Sequence, residues 1–158
     1  MGRLLEAEFP KIRWTPCASH GISLLMKDIG KLDWVKRICN NALSIVNFFT
    51  KKLKVLAIFH EYSSLELKKP AKTRFAYMWV LLERLIDVQP ALQMTVVCPE
   101  FVAWLREETM SGQEEARSIQ CLCMRERFWN EAKAIVIVCT PIYKGLWMMD
   151  MEGAPLGL

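Results

Sequence analysis

The apolar positions of this 158-residue chain recur mostly at helical spacing, in blocks separated by Pro, Gly and charged residues. Ile22, Leu25, Met26 and Ile29 share one face of a helix that should open at Thr15-Pro16 and stop at Gly30. Thr15 suits the N-cap because its hydroxyl accepts an orphan N–H, and Pro16 suits the next position, where no amide hydrogen is needed. Gly30 suits the residue just past a helix end. Asp33 can cap a long helix from Trp34 to about Phe49, with Trp34, Ile38, Ala42, Ile45 and Phe49 as its buried stripe. Lys51 to Tyr62 continues as helix with Leu53, Leu56, Ala57 and Phe59 inward, and Ser63 to Lys72 reads as a loop. Thr73 then caps a helix running through Val88, with Phe75, Met78, Trp79, Leu82 and Leu85 apolar, and Pro90 breaks it. Pro99 starts another, carrying Phe101, Val102 and Leu105. Ser111-Gly112-Gln113-Glu114 has the form of a capping box, so a helix should begin near Gly112. The last helix runs from about Arg125 to Met149, and Pro141 should kink it by removing a backbone donor and crowding the preceding turn.

Only Ile12 to Trp14 reads as a strand, after a short helical stretch from Arg3 to Glu8. The pattern therefore predicts a mainly α chain, one short strand plus about seven helices, without internal repeats or low-complexity runs. Hydrophobic residues make up 53% and charged residues 24%, a globular composition rather than a disordered one. The net charge of +4 is too small to specify a nucleic-acid partner by itself. Six cysteines without a short-spaced framework point to free thiols in a reducing compartment. Met1 to Phe9 holds acids and lacks a long apolar core, so it does not read as a signal peptide. Ala132 to Met149 is strongly apolar, but its longest uncharged stretch, Ala134 to Tyr143, falls short of the ~20 residues a membrane span needs. A buried core helix is expected there instead, and no membrane partner.

Cys17 and His20 stand three apart in the first turn of the first long helix, at the rim where a strand hands over to a helix. Helix N-termini attract anions, and the same positions also suit a buried thiol and a capping imidazole. A zinc ion wants four ligands, and no second pair accompanies these two. Cys121-Leu122-Cys123 has no nearby His or second cysteine pair either, and reads as helix with ordinary buried thiols. Asp28, Asp33, Asp87 and Asp150 fall at helix ends or on solvated faces, and Glu107-Glu108 and Glu114-Glu115 read as surface charge. The bases Lys51, Lys52, Lys54, Lys68, Lys69, Lys72 and Arg74 stand against only Glu61 and Glu66 within the same stretch. Such a cluster fits a phosphate-contacting patch, and equally a solvated face that keeps an apolar chain soluble.

The run from Gly2-Arg3-Leu4-Leu5-Glu6 through Trp14-Thr15-Pro16-Cys17-Ala18-Ser19-His20 to Leu25-Met26-Lys27-Asp28-Ile29-Gly30-Lys31-Leu32 resembles the hAT superfamily of DNA transposases. It looks like the subgroup that carries BED-type zinc fingers and a domain of unknown function before this point. Lys72-Thr73-Arg74-Phe75 looks like the family's Thr-Arg-Trp/Phe block, Phe128-Trp129 with Pro141 like its Phe-Trp helix, and Asp150, Glu152, Pro155 and Gly157 like the segment closing that helix. The resemblance implies a partial domain, a fragment of an RNase H-like fold: residues 1–32 as the end of the core and residues 33–158 as the helical insertion region.

The family cuts DNA with two Mg²⁺ ions held by two upstream aspartates and a downstream glutamate. None of these has a matching position here, so the resemblance implies no catalysis and no resident cofactor. It places His20 beside the active site, where an imidazole can donate to a phosphate, and Arg74-Phe75 where an unpaired base could stack. Phe75 replaces the larger Trp, and as a helix-start aromatic it suits a core position as well. Gly21 stands where a second cysteine often follows, which removes a paired-thiol role. Two functions from different classes follow. One is a transposon-derived, inactive nuclear remnant with weak DNA binding. The other is a helical interaction module that associates with itself or another chain through exposed apolar faces.

Overall fold

Residues 18–68 and 75–150 are described in the computed structural model, and among them eight α-helices follow one another with no strand. They are α1 (Ala18–Ile29), α2 (Asp33–Lys51), α3 (Leu53–Tyr62), α4 (Phe75–Asp87), α5 (Gln89–Val97), α6 (Pro99–Glu107), α7 (Met110–Met124) and α8 (Glu126–Asp150). The expected strand at Ile12 to Trp14, the Thr15-Pro16 start, Cys17 and the Thr73 cap lie outside the described residues. Among the described residues no helix is long and apolar enough to cross a membrane.

The long α8 is the spine. It carries α4 and α1 along its length, and α2 crosses it. Ile22 of α1 approaches Gly145 of α8 so closely that a Cβ there would lie 3.8 Å from Ile22 Cδ1. Trp79 of α4 stacks on Tyr143 of α8 with ring centroids 4.1 Å apart, and its indole N–H donates to the Val136 carbonyl. The second half of the bundle is built on α2, which also packs against α3 and α7, while α5 and α6 close it. Phe48, Phe49 and Phe59 meet edge to face there, and Trp104 of α6 joins through Phe48 and Phe101. One contiguous core runs through both halves, and its largest fully buried side chain is Trp129.

Several expectations shift by one residue or one turn. The buried stripe of α2 is Val35, Ile38, Cys39, Ala42, Ile45, Val46, Phe48 and Phe49, whereas Trp34 is 41% exposed. One residue is 100° of helix rotation, so a β-branched Val35 displaces the larger aromatic from the core. Asp33 is the first helical residue and not the cap. Leu32 holds that place without a side-chain bond, and the Asp33 carboxylate still meets the positive helix end. In α3, Val55, Ile58 and Phe59 are buried, while Leu53 is 78% exposed and Ala57 faces solvent. In α1, Met26 is buried but Leu25 is half exposed.

Pro90 does not merely end a helix. It opens α5, where a missing N–H costs nothing, and Thr95 is buried there with its hydroxyl donating to the Ala91 carbonyl at 2.7 Å. Gln120 and Gln93 tie α5 to α7 through the carbonyls of Val96 and Cys123. The α7 cap is Thr109, whose Oγ1 accepts from the Gly112 N–H at 3.2 Å, so Ser111 sits inside the helix instead of capping it. Pro141 lies within α8 as expected, and Thr140 one residue before it donates to the Val136 carbonyl at 2.6 Å.

Candidate nucleic-acid interface

The basic stretch begins where α2 hands over to α3. Helix α2 buries Phe48 and Phe49, and α3 must bury Val55 and Phe59, so the chain changes direction between them. Lys52 makes the change in extended conformation, with φ −99° and ψ 91°. The turn brings Lys51, Lys52 and Lys54 onto one junction, which α6 packs beside.

Two of these cations are already engaged. Lys52 Nζ lies 3.0 Å from Glu108 Oε2, with both side chains largely sheltered, and 5.8 Å above the Trp104 ring. Lys54 Nζ lies 3.4 Å from Glu107 Oε2 with both side chains exposed, an arrangement that contributes little. Lys51 is exposed and makes no ion pair among the described residues. Glu107 and Glu108 are therefore more than surface charge. They cancel part of the basic cluster from more than fifty residues downstream, which counting charges within the stretch could not reveal.

Gly112 shapes the same corner. A Cβ on it would meet Glu108 Oε2 at 2.5 Å and Thr109 Oγ1 at 3.3 Å, so the glycine leaves room for the carboxylate over Lys52. Gln113 adds a side-chain bond to the Glu108 carbonyl at 3.0 Å.

The other candidate residues stand apart from this junction. Lys68 is exposed at the end of the segment after α3, next to a buried Leu67, and Arg84 of α4 donates to the neighbouring Glu66 carbonyl. Lys69, Lys72 and Arg74 lie outside the described residues. Phe75 begins α4, and its side chain lies outside them too. His20 is exposed on α1, which packs on α8 and α4, while its expected neighbour Cys17 is not described. A second imidazole, His60, faces Glu66 at 3.7 Å and was not singled out by the sequence.

Among the described residues the acids and thiols do not assemble. Asp28 is hydrogen-bonded to Lys31 at 2.7 Å, which holds its carboxyl below the usual range. No group of three or more His, Cys, Asp or Glu able to hold a metal gathers among the described residues. Cys123 is fully buried and burial pushes its thiol up to about 12, as suits an inert core cysteine. Cys121 departs from the expectation. It is exposed, and its sulfur accepts from Arg125 at 3.8 Å. Cys39 is pushed up to about 11 by burial, with Cys139 as a smaller contribution.

One further feature was not visible in the sequence. Glu131 accepts from Arg127 Nε at 2.8 Å and from Arg37 Nη2 at 3.3 Å, and these bonds hold its carboxyl below the usual range despite some desolvation. Arg127 and Glu131, with Trp34, Glu126, Asn130 and Ala134, line a shallow open groove between α2 and α8. The i, i+4 pair Arg127–Glu131 follows from helical spacing, but its long-range partner Arg37 does not.

These observations define a helical domain with a basic junction half neutralised by its own glutamates. Residues 1–45 match the model of a family described as a domain of unknown function, DUF659. No curated protein and no solved structure matches the chain.

Proposed function

We propose that the chain is a segment of an hAT-type, transposase-like protein, in which residues 1–32 end the RNase H-like core and residues 33–158 belong to the helical insertion. In this reading it resides in the nucleus, performs no strand cleavage and contacts DNA weakly through Lys51, Lys68 and the bases beyond them. One observation carries the reading. The DUF659 match, a domain found in hAT-type and transposase-like proteins, covers the Cys17–His20 block, and the described residues after it are mainly helical. The described acids do not fit the family's Mg²⁺ ions, since Asp28 is engaged by Lys31 and Asp33 and Asp87 sit at ends of different helices.

The DNA part is tested by salt titration of the wild type, a Lys51/Lys52/Lys54 triple alanine and Phe75→Ala, on blunt duplex and hairpin-ended DNA. Removing bases that touch phosphate should weaken binding to all sequences and flatten log K against log salt by about 0.9 per phosphate. Phe75→Ala should spare blunt duplex and weaken DNA with unpaired bases, where stacking contributes ~1–3 kcal/mol per base. Equal affinities for all three proteins would remove DNA contact from the proposal. Mg²⁺- or Mn²⁺-dependent nicking that survives mutation of Asp28 and Asp33 would refute the loss of cleavage.

A second reading, the interaction module, is favoured by the apolar side chains that α8 leaves in solvent. Ile137 is 71% exposed, Val138 57%, Trp147 59% and Met148 66%.

A further inference from the structure

The outer face of α8 is unusual for a helix that is also the spine of the core. Residues 134, 137, 138 and 141 are all exposed, and they are Ala, Ile, Val and Pro, while one turn further Gly145 meets Ile22 of α1 and bounds the patch. Their spacing keeps them on one stripe, away from Ile135 and Cys139, which are buried. Contiguous apolar surface of this kind marks a docking site. Its electrostatics say what docks. From Ala132 to Met149 there is no Asp or Glu, and Lys133 and Lys144 lie beside the stripe, exposed and without an ion-pair partner among the described residues. At the N-terminal end of α8, Arg37 and Arg127 share the carboxylate of Glu131 and Glu126 stands exposed beside them, so the unanswered charge of this face is that of Lys133 and Lys144.

We propose that this face docks an amphipathic helix of a partner protein whose apolar ridge is flanked by carboxylates. The mode is helix against helix, read by apolar anchors at i, i+3, i+4 and i+7. Lys133 and Lys144 lie eleven residues apart, so they present two ammonium groups separated by about 16 Å along the axis. A partner with acidic residues at matching separation meets both, and charge complementarity of this kind fixes orientation and excludes basic helices. A lipid surface fits less well. A helix that lies in a membrane interface carries many bases opposite its apolar face, whereas the opposite face of α8 is core and the stripe has two lysines. This inference rests on the interaction-module reading and does not depend on DNA binding.

The test uses the purified full chain and two labelled synthetic helices with identical Leu ridges, one flanked by Glu at that spacing and one by Lys, read by fluorescence anisotropy. Vesicles of phosphatidylcholine with phosphatidylserine form a third arm. The acidic peptide should bind at least about tenfold tighter than the basic one, a difference of about 1.4 kcal/mol. Lys133→Glu with Lys144→Glu should invert that order, and Ile137→Ser should weaken the acidic peptide about tenfold. These positions are exposed, so circular dichroism should show all variants folded. Equal binding of the two peptides, no binding of either, an unchanged order in the charge-reversed variant, or binding to anionic vesicles alone would each overturn the proposal.

Discussion

At the scale of single residues, burial decides which thiols can do chemistry. Cys39 and Cys123 are held protonated in the folded chain, up to about 11 and about 12, whereas in an unfolded chain both would ionise near the ordinary value of 9. Above that value the unfolded state releases protons that the folded state keeps, so their contribution is complete below pH 9 and falls away as pH rises toward about 11 for Cys39 and about 12 for Cys123. Melting temperature under reducing conditions should therefore decline across that window, and the decline should be shallower in Cys39→Ala with Cys123→Ala. Parallel curves would show that other groups set the alkaline limit. Residue-resolved alkylation at neutral pH should label Cys121 well before Cys39, Cys98, Cys123 or Cys139. The sequence placed Cys123 correctly but not Cys121, because a two-residue step in a helix turns the side chain to the other face. Trp34 misled for a related reason. Its size suggested burial, but Val35 beside it suits the packed face as well, and only the neighbouring helices choose between them.

At the scale of elements, long amphipathic helices were legible and their ends were not. Helices α1, α2 and α8 are where the apolar spacing put them, whereas α5 was missed. Its buried Ala91, Leu92, Thr95 and Val96 alternate with exposed Met94 and Val97, so apolar residues appear on every side and no stripe stands out. The start of α7 shows how two caps compete. Ser111 and Glu114 form the better motif in sequence, yet Thr109 two residues earlier makes the bond. Thr109→Ala should therefore cost about 1 kcal/mol in denaturant unfolding at unchanged slope. Ser111→Ala, at an exposed helical position, should stay within about 0.5 kcal/mol. The reverse ranking would restore the capping box that the sequence suggested.

At the scale of the whole molecule, the candidate interface was legible in part. The lysines were found, but the acids that answer them come from α6 and the residue after it, a tertiary contact that no local window contains. Their effect is measurable. Glu107→Gln with Glu108→Gln should release two ammonium groups, tighten DNA binding and steepen its salt dependence by about 0.9 for each further phosphate neutralised. An unchanged slope would mean that this junction does not face DNA. The sequence offered exposed apolar faces only in general, without naming the helix that carries them. The structure gives the outer face of α8 its residues and a charge pattern, since which side of a long helix stays uncovered depends on where α1, α2 and α4 pack.

Gly112 makes surface charge a matter of volume. The carboxylate that masks Lys52 stands in space that one methyl group would fill, and the helix around that position would otherwise welcome alanine. A methyl there would push the Glu108 carboxylate aside, and that flexible side chain can yield while its charge stays near Lys52. Gly112→Ala should therefore loosen the Lys52–Glu108 pair but change the salt titration far less than Glu108→Gln, which removes the charge itself. If the junction meets DNA as proposed, the neutral residue at 112 sets how closely its carboxylate masks the lysine.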